Sequence, residues 1–372
     1  MAILYLTEQQ AWVNLEGDCL IVHIPEHTEG GKSNGKRERK MTVPLLKVEE
    51  VVILGNITIS TPALASLLEA KVQISYLSKY GHYLGSLSPI LTKNSILRLA
   101  QHEAYKDGTK RHAIAQHFVT DKLRNMRTIL MRYQRQHTDP LFETQIESIK
   151  RSIAAAEKTT LHSPVNTSDE LDHQSDMEPD EIATGRMNGL GPLLGCEGAG
   201  SAAYFGAFGQ LIKSNWAHGF SKRVRRPPTD PVNAMLSYGY VILTSQIAST
   251  LAAVGFDPYI GYLHASRYGK PALALDLVEE FRPLIVDSVV LSLFNNHQLE
   301  AKDFITELNA CRMSDTTKRL FLEKFEERMQ ETITHPTFDY KVPYRRCIEL
   351  QGRLLSKYLI GEIETYTPFT VR

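Results

Sequence analysis

The sequence has few cysteines, no excess of charge of either sign and no long apolar run. Its four cysteines are far apart in 372 residues and form no Cys-x-x-Cys pair, which argues against a zinc ribbon or a disulfide framework and favours a reducing compartment. No run approaches the roughly 18 apolar residues that span a bilayer, and the amino terminus turns polar too soon for a signal peptide. The sequence therefore predicts a soluble, cytoplasmic protein without a membrane partner.

Charge balance gives no sign of a nucleic-acid partner. Lysine plus arginine number 42, equal to aspartate plus glutamate, so any DNA contact must come from segregation of charge along the chain. The length exceeds what one hydrophobic core usually supports, which predicts two domains. A hydrophobic fraction of 42% is ordinary for a soluble protein.

The spacing of apolar residues changes once along the chain, from a pattern typical of strands to one typical of helices, and this predicts an α+β fold. Residues 1–90 contain short β-branched runs separated by turns and are expected to form a β-rich amino-terminal domain. Residues 94–372 follow helical periods and predict a larger all-α carboxyl-terminal domain. Within it, residues 158–187 are polar and acidic and predict a flexible loop.

The stretch 259–283 combines a histidine in a glycine-containing loop with a helix that carries carboxylates. On that helix Asp276 is spaced three and four residues from Glu279 and Glu280, which predicts one acidic face. His264 precedes this helix, and an imidazole with two or three carboxylates suits Mn²⁺ and accepts Mg²⁺. The alternative is a solvated acidic face beside a structural histidine.

A second stretch, residues 195–206, is built from small residues around one acid. Glu197 is the only charged residue between Arg186 and Lys213. One interpretation is a carboxylate in the first turn of a helix, favoured by the helix dipole. The other is a further ligand of a metal site.

Three motifs occur in order: Gly-x-Glu-Gly-x-x-x-Ala-x-Tyr-Phe at 195–205, Pro-x-Asp-Pro-x-Asn-Ala at 228–234, and a histidine loop followed by Asp-Leu-x-Glu-Glu-Phe-Arg-Pro at 276–283. Together they resemble the CRISPR-associated protein one family, the integrase and endonuclease of spacer acquisition. The resemblance runs from the first strands to the end of the sequence. The long polar segment 158–187 departs from the family pattern, which has a shorter connection.

The resemblance implies site residues and a metal. The family's metal-binding glutamate, histidine and third acidic ligand fall on Glu197, His264 and Glu279. Asp276 matches an acidic residue three positions before the third ligand and is expected to be an accessory catalytic carboxylate. The implied cofactor is Mg²⁺ or Mn²⁺.

Candidate DNA contacts come from basic stretches. Residues 213–226 hold basic residues, no acid, and the aromatic residues Trp216 and Phe220, a pattern that suits phosphate contacts with a ring stacked on a base. The segment 26–40 and the helix 110–135 are also basic, either as DNA contacts or as solvated faces. The predicted DNA-binding residues are Lys222, Arg223, Arg225, Arg226 and Arg282, the last of which is alternatively a partner of Glu279 or Glu280.

The implied function is insertion of short DNA fragments into a CRISPR array, as part of antiviral defence in a prokaryotic cytoplasm. A 3′ hydroxyl attacks a phosphodiester at the repeat, so the reaction is a transesterification without a nucleotide cofactor. Implied partners are double-stranded DNA with 3′ ends, a second copy of the chain through the β domain, and a small companion protein that bridges two dimers. Two alternatives remain: a non-catalytic DNA-binding scaffold of the same complex, and an unrelated metal-dependent phosphoesterase.

Overall fold

The computed structural model describes residues 2–25, 38–79, 83–87, 89, 94–136, 141–161, 189–213, 220–264 and 268–371. The chain divides into two compact units, Met1–Thr92 and Lys93–Arg372. The first is β-rich and the second mainly helical, so the predicted α+β fold is confirmed. Most of the predicted acidic loop lies outside the described residues, which omit 162–188, and so do residues 26–37 of the basic segment 26–40.

The described residues of the amino-terminal unit form two four-stranded sheets and one α-helix. Its strands are β1 (Ala2–Leu6), β2 (Trp12–Glu16), β3 (Cys19–Pro25), β4 (Glu38–Pro44), β5 (Val48–Leu54), β6 (Thr58–Ile59), β7 (Gln73–Leu77) and β8 (Tyr83–Leu87). Helix α1 (Thr61–Glu69) has proline in its first turn, where no backbone donor is lost.

The two sheets differ in the direction of their strands. The order in one is β1-β5-β7-β8, in which only β8 pairs antiparallel. The order in the other is β4-β3-β2-β6, in which only β6 pairs parallel. Both sheets and α1 contribute buried apolar side chains to one core, which includes Val13, Val22, Val51, Leu67 and Ile74. Alternate residues of β2 face this core, as the period of two predicts.

In the part of the carboxyl-terminal unit that the structure describes, helices are joined by two short hairpins. Its described helices are α2 (Ser95–Lys106), α3 (Gly108–Gln134), α4 (Glu143–Ala156), α5 (Gly191–Phe208), α6 (Pro231–Val254), α7 (Ala272–Phe281), α8 (Ser288–Asn295), α9 (Asp315–Gln330) and α10 (Tyr344–Leu359). The hairpins pair β9 (Phe304–Glu307) with β10 (Ala310–Met313), and β11 (Thr332–Thr334) with β12 (Lys341–Pro343). These hairpins were not expected from the helical periodicity.

Helix α3 occupies the middle of this unit and packs against α4, α5 and α7. Its buried side chains lie on more than one face, in keeping with a helix surrounded by neighbours. Gly200 of α5 lies directly against Leu123 of α3, where a Cβ atom would overlap the leucine side chain. The small residues around Glu197 therefore allow α5 to approach α3 closely.

Helix α6 has many buried apolar side chains, and it ends at Gly255 with φ 119°. Its amino-terminal cap is Asp230, whose carboxylate accepts the backbone N–H of Asn233 at 2.9 Å. Asn233 therefore lies in the first turn of the helix and is not its cap. Helix α7 ends before Pro283, which begins a π-helical turn, Pro283–Asp287, leading into α8. Pro283 thus ends the regular helix, as expected.

Candidate metal centre

Glu197 lies in the second turn of α5 and is buried, with 1% of its surface exposed. The hydroxyl of Ser201, one turn later, donates to Glu197 Oε1 at 2.8 Å. The ammonium of Lys122, from α3, contacts the same oxygen. A carboxylate held by partners from its own helix and from α3 is not a solvated first-turn acid, so the dipole interpretation does not account for Glu197.

His264 is fixed by the carboxylate of Asp276. Asp276 accepts the backbone N–H groups of Tyr262 at 2.5 Å, Leu263 at 3.1 Å and His264 at 2.8 Å. It also lies 2.8 Å from His264 Nδ1. With Nδ1 held this way, Nε2 faces Glu279 and lies 3.9 Å from Glu279 Oε1. Asp276 therefore orients the histidine and its loop.

Gly261 allows the histidine loop to lie against α7. A Cβ at this position would lie 2.7 Å from the carbonyl carbon of Ala272 and 2.8 Å from Asp276 Oδ2. Distances this short require the neighbouring backbone to shift. The glycine in the histidine loop thus has a structural purpose, which is to bring the loop N–H groups within hydrogen-bond distance of Asp276.

Glu279 receives two cations. Lys122 Nζ lies 3.0 Å from Glu279 Oε2, and the guanidinium of Arg282 donates to Oε1 at 3.2 Å. Burial raises the pKa of Glu279, while Lys122 and His264 oppose that shift. The expected pairing of Arg282 with Glu279 is confirmed.

Glu280 does not share the site, although it follows Glu279 directly. Its carboxylate accepts the hydroxyl of Tyr366 at 2.6 Å, the backbone N–H of Phe369 at 2.9 Å and the Gln351 amide at 3.0 Å. Burial raises the pKa of Glu280 to about 7. The prediction of one acidic face is therefore wrong, because consecutive helical residues point about 100° apart and Glu280 faces the carboxyl-terminal segment.

Lys122 is the residue of the site that the sequence did not single out. It was expected on a basic, phosphate-binding or solvated face of the long helix, but it is 1% exposed and lies between two glutamates. Its neighbours in sequence, Val119, Leu123 and Met126, are all buried. A lysine amid such residues at helical spacing is a signal for a buried charge with a partner.

A second buried network supports Arg282. Its guanidinium carbon lies 4.7 Å from the ring centroid of Tyr240, and the Tyr240 hydroxyl donates to Asp287 at 2.6 Å. Tyr204 of α5 donates to the other oxygen of Asp287 at 2.9 Å. Burial lowers the pKa of Arg282 to about 10 and raises the pKa of Asp287. This network ties α5, α6 and the π-turn together behind Glu279.

The predicted DNA-binding residues have different surroundings. Lys222 and Arg226 are exposed and Arg225 is half-buried. Arg223 donates to the Asn233 side chain at 2.8 Å and to the Ser237 hydroxyl at 3.0 Å. Arg223 and Arg282 thus have partners within the protein, and DNA contacts for all five residues stay predictions.

The aromatic residues of the same basic stretch were predicted to stack on a base. Phe220 is instead buried, with its ring centroid 5.5 Å from that of Phe208. The stacking prediction is therefore wrong for Phe220, because its ring completes the core next to α5. Trp216 lies outside the described residues.

The chemical types of the donor groups at this centre suit a divalent cation. Two carboxylates and one imidazole suit Mn²⁺ and accept Mg²⁺, and a histidine held through Nδ1 by a carboxylate is the usual arrangement of a ligating imidazole. Among the residues that the structure describes, no three His, Cys, Asp or Glu side chains are spaced to hold an ion as they stand. The Lys122 ammonium, a cation itself, lies between Glu197 and Glu279.

Comparison with known proteins identifies relatives over the whole chain. A family model described as CRISPR associated protein Cas1 matches residues 4–327. The CRISPR-associated endonuclease Cas1 3 of Thermus thermophilus is 36% identical over 100% of this chain and 98% of its own length. The CRISPR-associated endonuclease Cas1 1 of Moorella thermoacetica is 33% identical over 99% and 98%. An exonuclease Cas4/endonuclease Cas1 fusion of Geobacter sulfurreducens is 35% identical over 99% of this chain, which spans 60% of the fusion.

Solved structures share the fold at lower identity. A casposase bound to integration product has a TM-score of 0.77 and 22% identity over 98% of this chain and 92% of its own. A Cas1 protein from Thermotoga maritima has a TM-score of 0.74 and 24% identity over 100% and 99%.

These relatives define the class of protein as a nuclease. The matched family model covers most of the chain, including all three sequence motifs. The chain belongs to the CRISPR associated protein Cas1 family.

Of the described helices, none is long and apolar enough to cross a bilayer.

Proposed function

We propose that this protein is a DNA integrase and endonuclease of CRISPR adaptation that depends on Mg²⁺ or Mn²⁺. The observation that carries the proposal is the approach of three side chains to one buried centre, although Glu197 and Glu279 are 82 positions apart in the sequence (279 − 197). Glu197 and Glu279 share the Lys122 ammonium, and His264 Nε2 faces Glu279. The relatives named as Cas1 endonucleases support the activity.

In the proposed mechanism Glu197, His264 and Glu279 would hold the ion. A divalent ion in such a site stabilises negative charge on a phosphoryl group and activates a hydroxyl nucleophile. Asp276 keeps the imidazole in the tautomer that presents Nε2, because its carboxylate lies against Nδ1. Arg282 donates to Glu279 Oε1 and so helps to orient that carboxylate.

The proposed reaction is transesterification of DNA. The 3′ hydroxyl of a fragment loses its proton as its oxygen forms a bond to phosphorus in the CRISPR array. The bond from phosphorus to the 3′ oxygen of the array strand breaks, and that leaving oxygen takes up a proton, so no net proton is consumed. One phosphodiester replaces another, so no nucleotide cofactor is consumed. The casposase neighbour is bound to an integration product, which makes DNA the substrate class to test here. With water as nucleophile the same residues would cleave DNA.

Partners are also part of the proposal. Lys222, Arg225 and Arg226 carry positive charge at exposed or half-exposed positions, where contacts with DNA phosphates would be screened by salt. Two ends must be joined at two places, so we propose a homodimer formed through the β-rich unit. A small companion protein of CRISPR adaptation would bridge two such dimers.

A joining assay tests the proposal. The full chain is incubated with a repeat-containing duplex, Mn²⁺ and a fragment that ends either in a 3′ hydroxyl or in a 2′,3′-dideoxynucleotide. We expect products only with the 3′ hydroxyl, their loss in EDTA, and a loss of at least about 100-fold in Glu197→Gln, since even partners of metal ligands contribute 10–100-fold. The control Glu147→Gln changes an exposed glutamate and should be active.

The same assay separates the alternatives. DNA binding without joining or cleavage would favour a scaffold and contradict the proposal. Turnover of small phosphoesters, with DNA left intact, would favour an unrelated phosphoesterase. Joining that persists in Glu197→Gln would show that the chemistry takes place elsewhere.

A further inference from the structure

The ammonium of Lys122 forms ion pairs with both glutamates of the centre. It contacts Glu197 Oε1 and lies 3.0 Å from Glu279 Oε2. The side chains of Lys122 and Glu197 are each 1% exposed, and that of Glu279 is 5% exposed. Solvent therefore contributes little to neutralising the carboxylates, and the lysine is their main shared counter-ion.

The lysine and the two glutamates are buried together because the three helices that carry them pack against one another. Helix α3 supplies the lysine, α5 supplies Glu197 and α7 supplies Glu279, and both α5 and α7 pack on α3. Two buried carboxylates without a counter-ion would oppose this packing, because an uncompensated buried charge is strongly destabilising. Ser201 and Arg282 each contact one of the carboxylates, whereas Lys122 contacts both.

We infer that Lys122 and the divalent cation compete for Glu197 and Glu279. The lysine is a positioning residue: it keeps the carboxylates paired in the metal-free protein, and it must leave its place between them when the ion binds. Its flexible four-carbon stem allows that movement with the backbone of α3 unchanged. The identity of the competing ion rests on the proposed function, whereas the pairing rests on the observed contacts.

Competition predicts opposite effects of a neutral substitution on two properties. In Lys122→Met the metal-free protein lacks the shared counter-ion, so it should melt at a lower temperature in EDTA. The same variant should bind Mn²⁺ at least about 10-fold more tightly, because no charge-assisted hydrogen bond has to be broken first. Addition of Mn²⁺ should therefore raise its melting temperature by more than that of the unsubstituted protein.

Mn²⁺ binding and melting are measured on the full chain without DNA. Binding is followed by the electron paramagnetic resonance signal of free Mn²⁺, and melting by circular dichroism in EDTA and in Mn²⁺. Lys150→Met is the matched control, because Lys150 pairs with Glu147 in solvent and should change neither property. Equal or weaker Mn²⁺ binding by Lys122→Met, or an unchanged melting temperature in EDTA, would overturn the inference.

A double variant covers the case in which Lys122→Met does not fold without metal. Glu197→Gln/Lys122→Met removes one carboxylate together with the ammonium, so in EDTA it should fold and should melt at a higher temperature than Lys122→Met. A double variant that melts no higher than Lys122→Met, or that fails to fold as well, would count against the pairing. If the proposed function were wrong, the result would differ from a failure of the pairing: the unsubstituted protein and Glu197→Gln would then bind Mn²⁺ with the same affinity.

Discussion

The Asp276 carboxylate lies 2.8 Å from His264 Nδ1 and accepts three consecutive backbone N–H groups of the loop that carries this histidine. Asp276→Asn replaces one acceptor oxygen by a donor, so it should release both the loop and the ring. We expect Mn²⁺ affinity and DNA joining to fall by about 10–100-fold, the usual cost of losing such a partner of a ligating histidine.

A matched aspartate tests whether the effect of Asp276→Asn is specific. Asp315 is exposed in the first turn of α9 and pairs with Lys318. Asp315→Asn should leave Mn²⁺ affinity and joining unchanged within about twofold, since exposed ion pairs contribute at most about 1 kcal/mol. Equal losses in the two variants would remove the assigned role of Asp276.

Gly261→Ala is expected to disturb the same loop by steric overlap. The new methyl group would lie 2.7 Å from the Ala272 carbonyl carbon and 2.8 Å from Asp276 Oδ2. Overpacking of this kind costs about 1–3 kcal/mol, which urea unfolding monitored by circular dichroism would measure. Joining should fall as well, because His264 moves with the loop.

Gly206→Ala provides the matched glycine control. Gly206 lies in α5, and an added Cβ would meet no described residue outside this helix within 4 Å. Alanine stabilises a helix interior by up to about 1 kcal/mol relative to glycine, so this variant should unfold at equal or higher urea concentration. A loss of stability matching that of Gly261→Ala would contradict the steric explanation.

Tyr366→Phe tests the attachment of the carboxyl-terminal segment to α7. The Tyr366 hydroxyl donates to Glu280 at 2.6 Å and accepts from Gln351 at 3.0 Å. Loss of the hydroxyl leaves a buried carboxylate short of one donor, so the free energy of unfolding should fall by about 1–3 kcal/mol. Tyr340→Phe, at a residue 45% exposed, should change it by less than about 0.5 kcal/mol.

We expect the folded protein to lose stability in mild acid because of His335. Burial lowers its pKa from 6.5 to about 4, and its Nδ1 accepts the backbone N–H of Thr337 at 3.2 Å. The unfolded chain therefore binds a proton between pH 6.5 and 4 that the folded chain does not, so this contribution is complete above pH 6.5 and declines as the pH falls. The free energy of unfolding should fall by about 1–2 kcal/mol. This is less than the shift in pKa would give at 1.36 kcal/mol per unit, because the surroundings of the ring are partly solvated.

Urea unfolding at pH 7.5 and at pH 4.5 measures this decline. His335→Phe should unfold with a smaller difference between the two pH values, because phenylalanine fits beside Phe338 and Phe369 and binds no proton. His297→Phe would serve as control, as His297 is an exposed residue after α8. A difference unchanged by His335→Phe would show that other groups cause the acid sensitivity.

The order of elements and three of the site residues could be predicted from local sequence. Short β-branched runs predicted the β-rich unit, and apolar periodicity predicted α3 and α6, because strand and helix periods are properties of the chain itself. Glu197, His264 and Glu279 were selected by their motifs. In the structure Lys122 contacts both glutamates and His264 Nε2 lies 3.9 Å from Glu279 Oε1, while the role of the three residues as metal ligands stays a prediction. The two hairpins, β9–β10 and β11–β12, were not predicted from the sequence, since strands of three or four residues carry little periodic signal.

The sequence by itself determined which residue types stand at 276, 279 and 280 and that they recur along one helix. Only the tertiary structure decided that Asp276 faces the histidine loop, Glu279 faces Lys122, and Glu280 faces the carboxyl-terminal segment. The physical reason is that helical spacing fixes the angles between side chains, whereas the neighbours that each side chain meets depend on how distant helices pack. Lys122 shows the same limit, since its burial depends on α5 and α7 closing over α3.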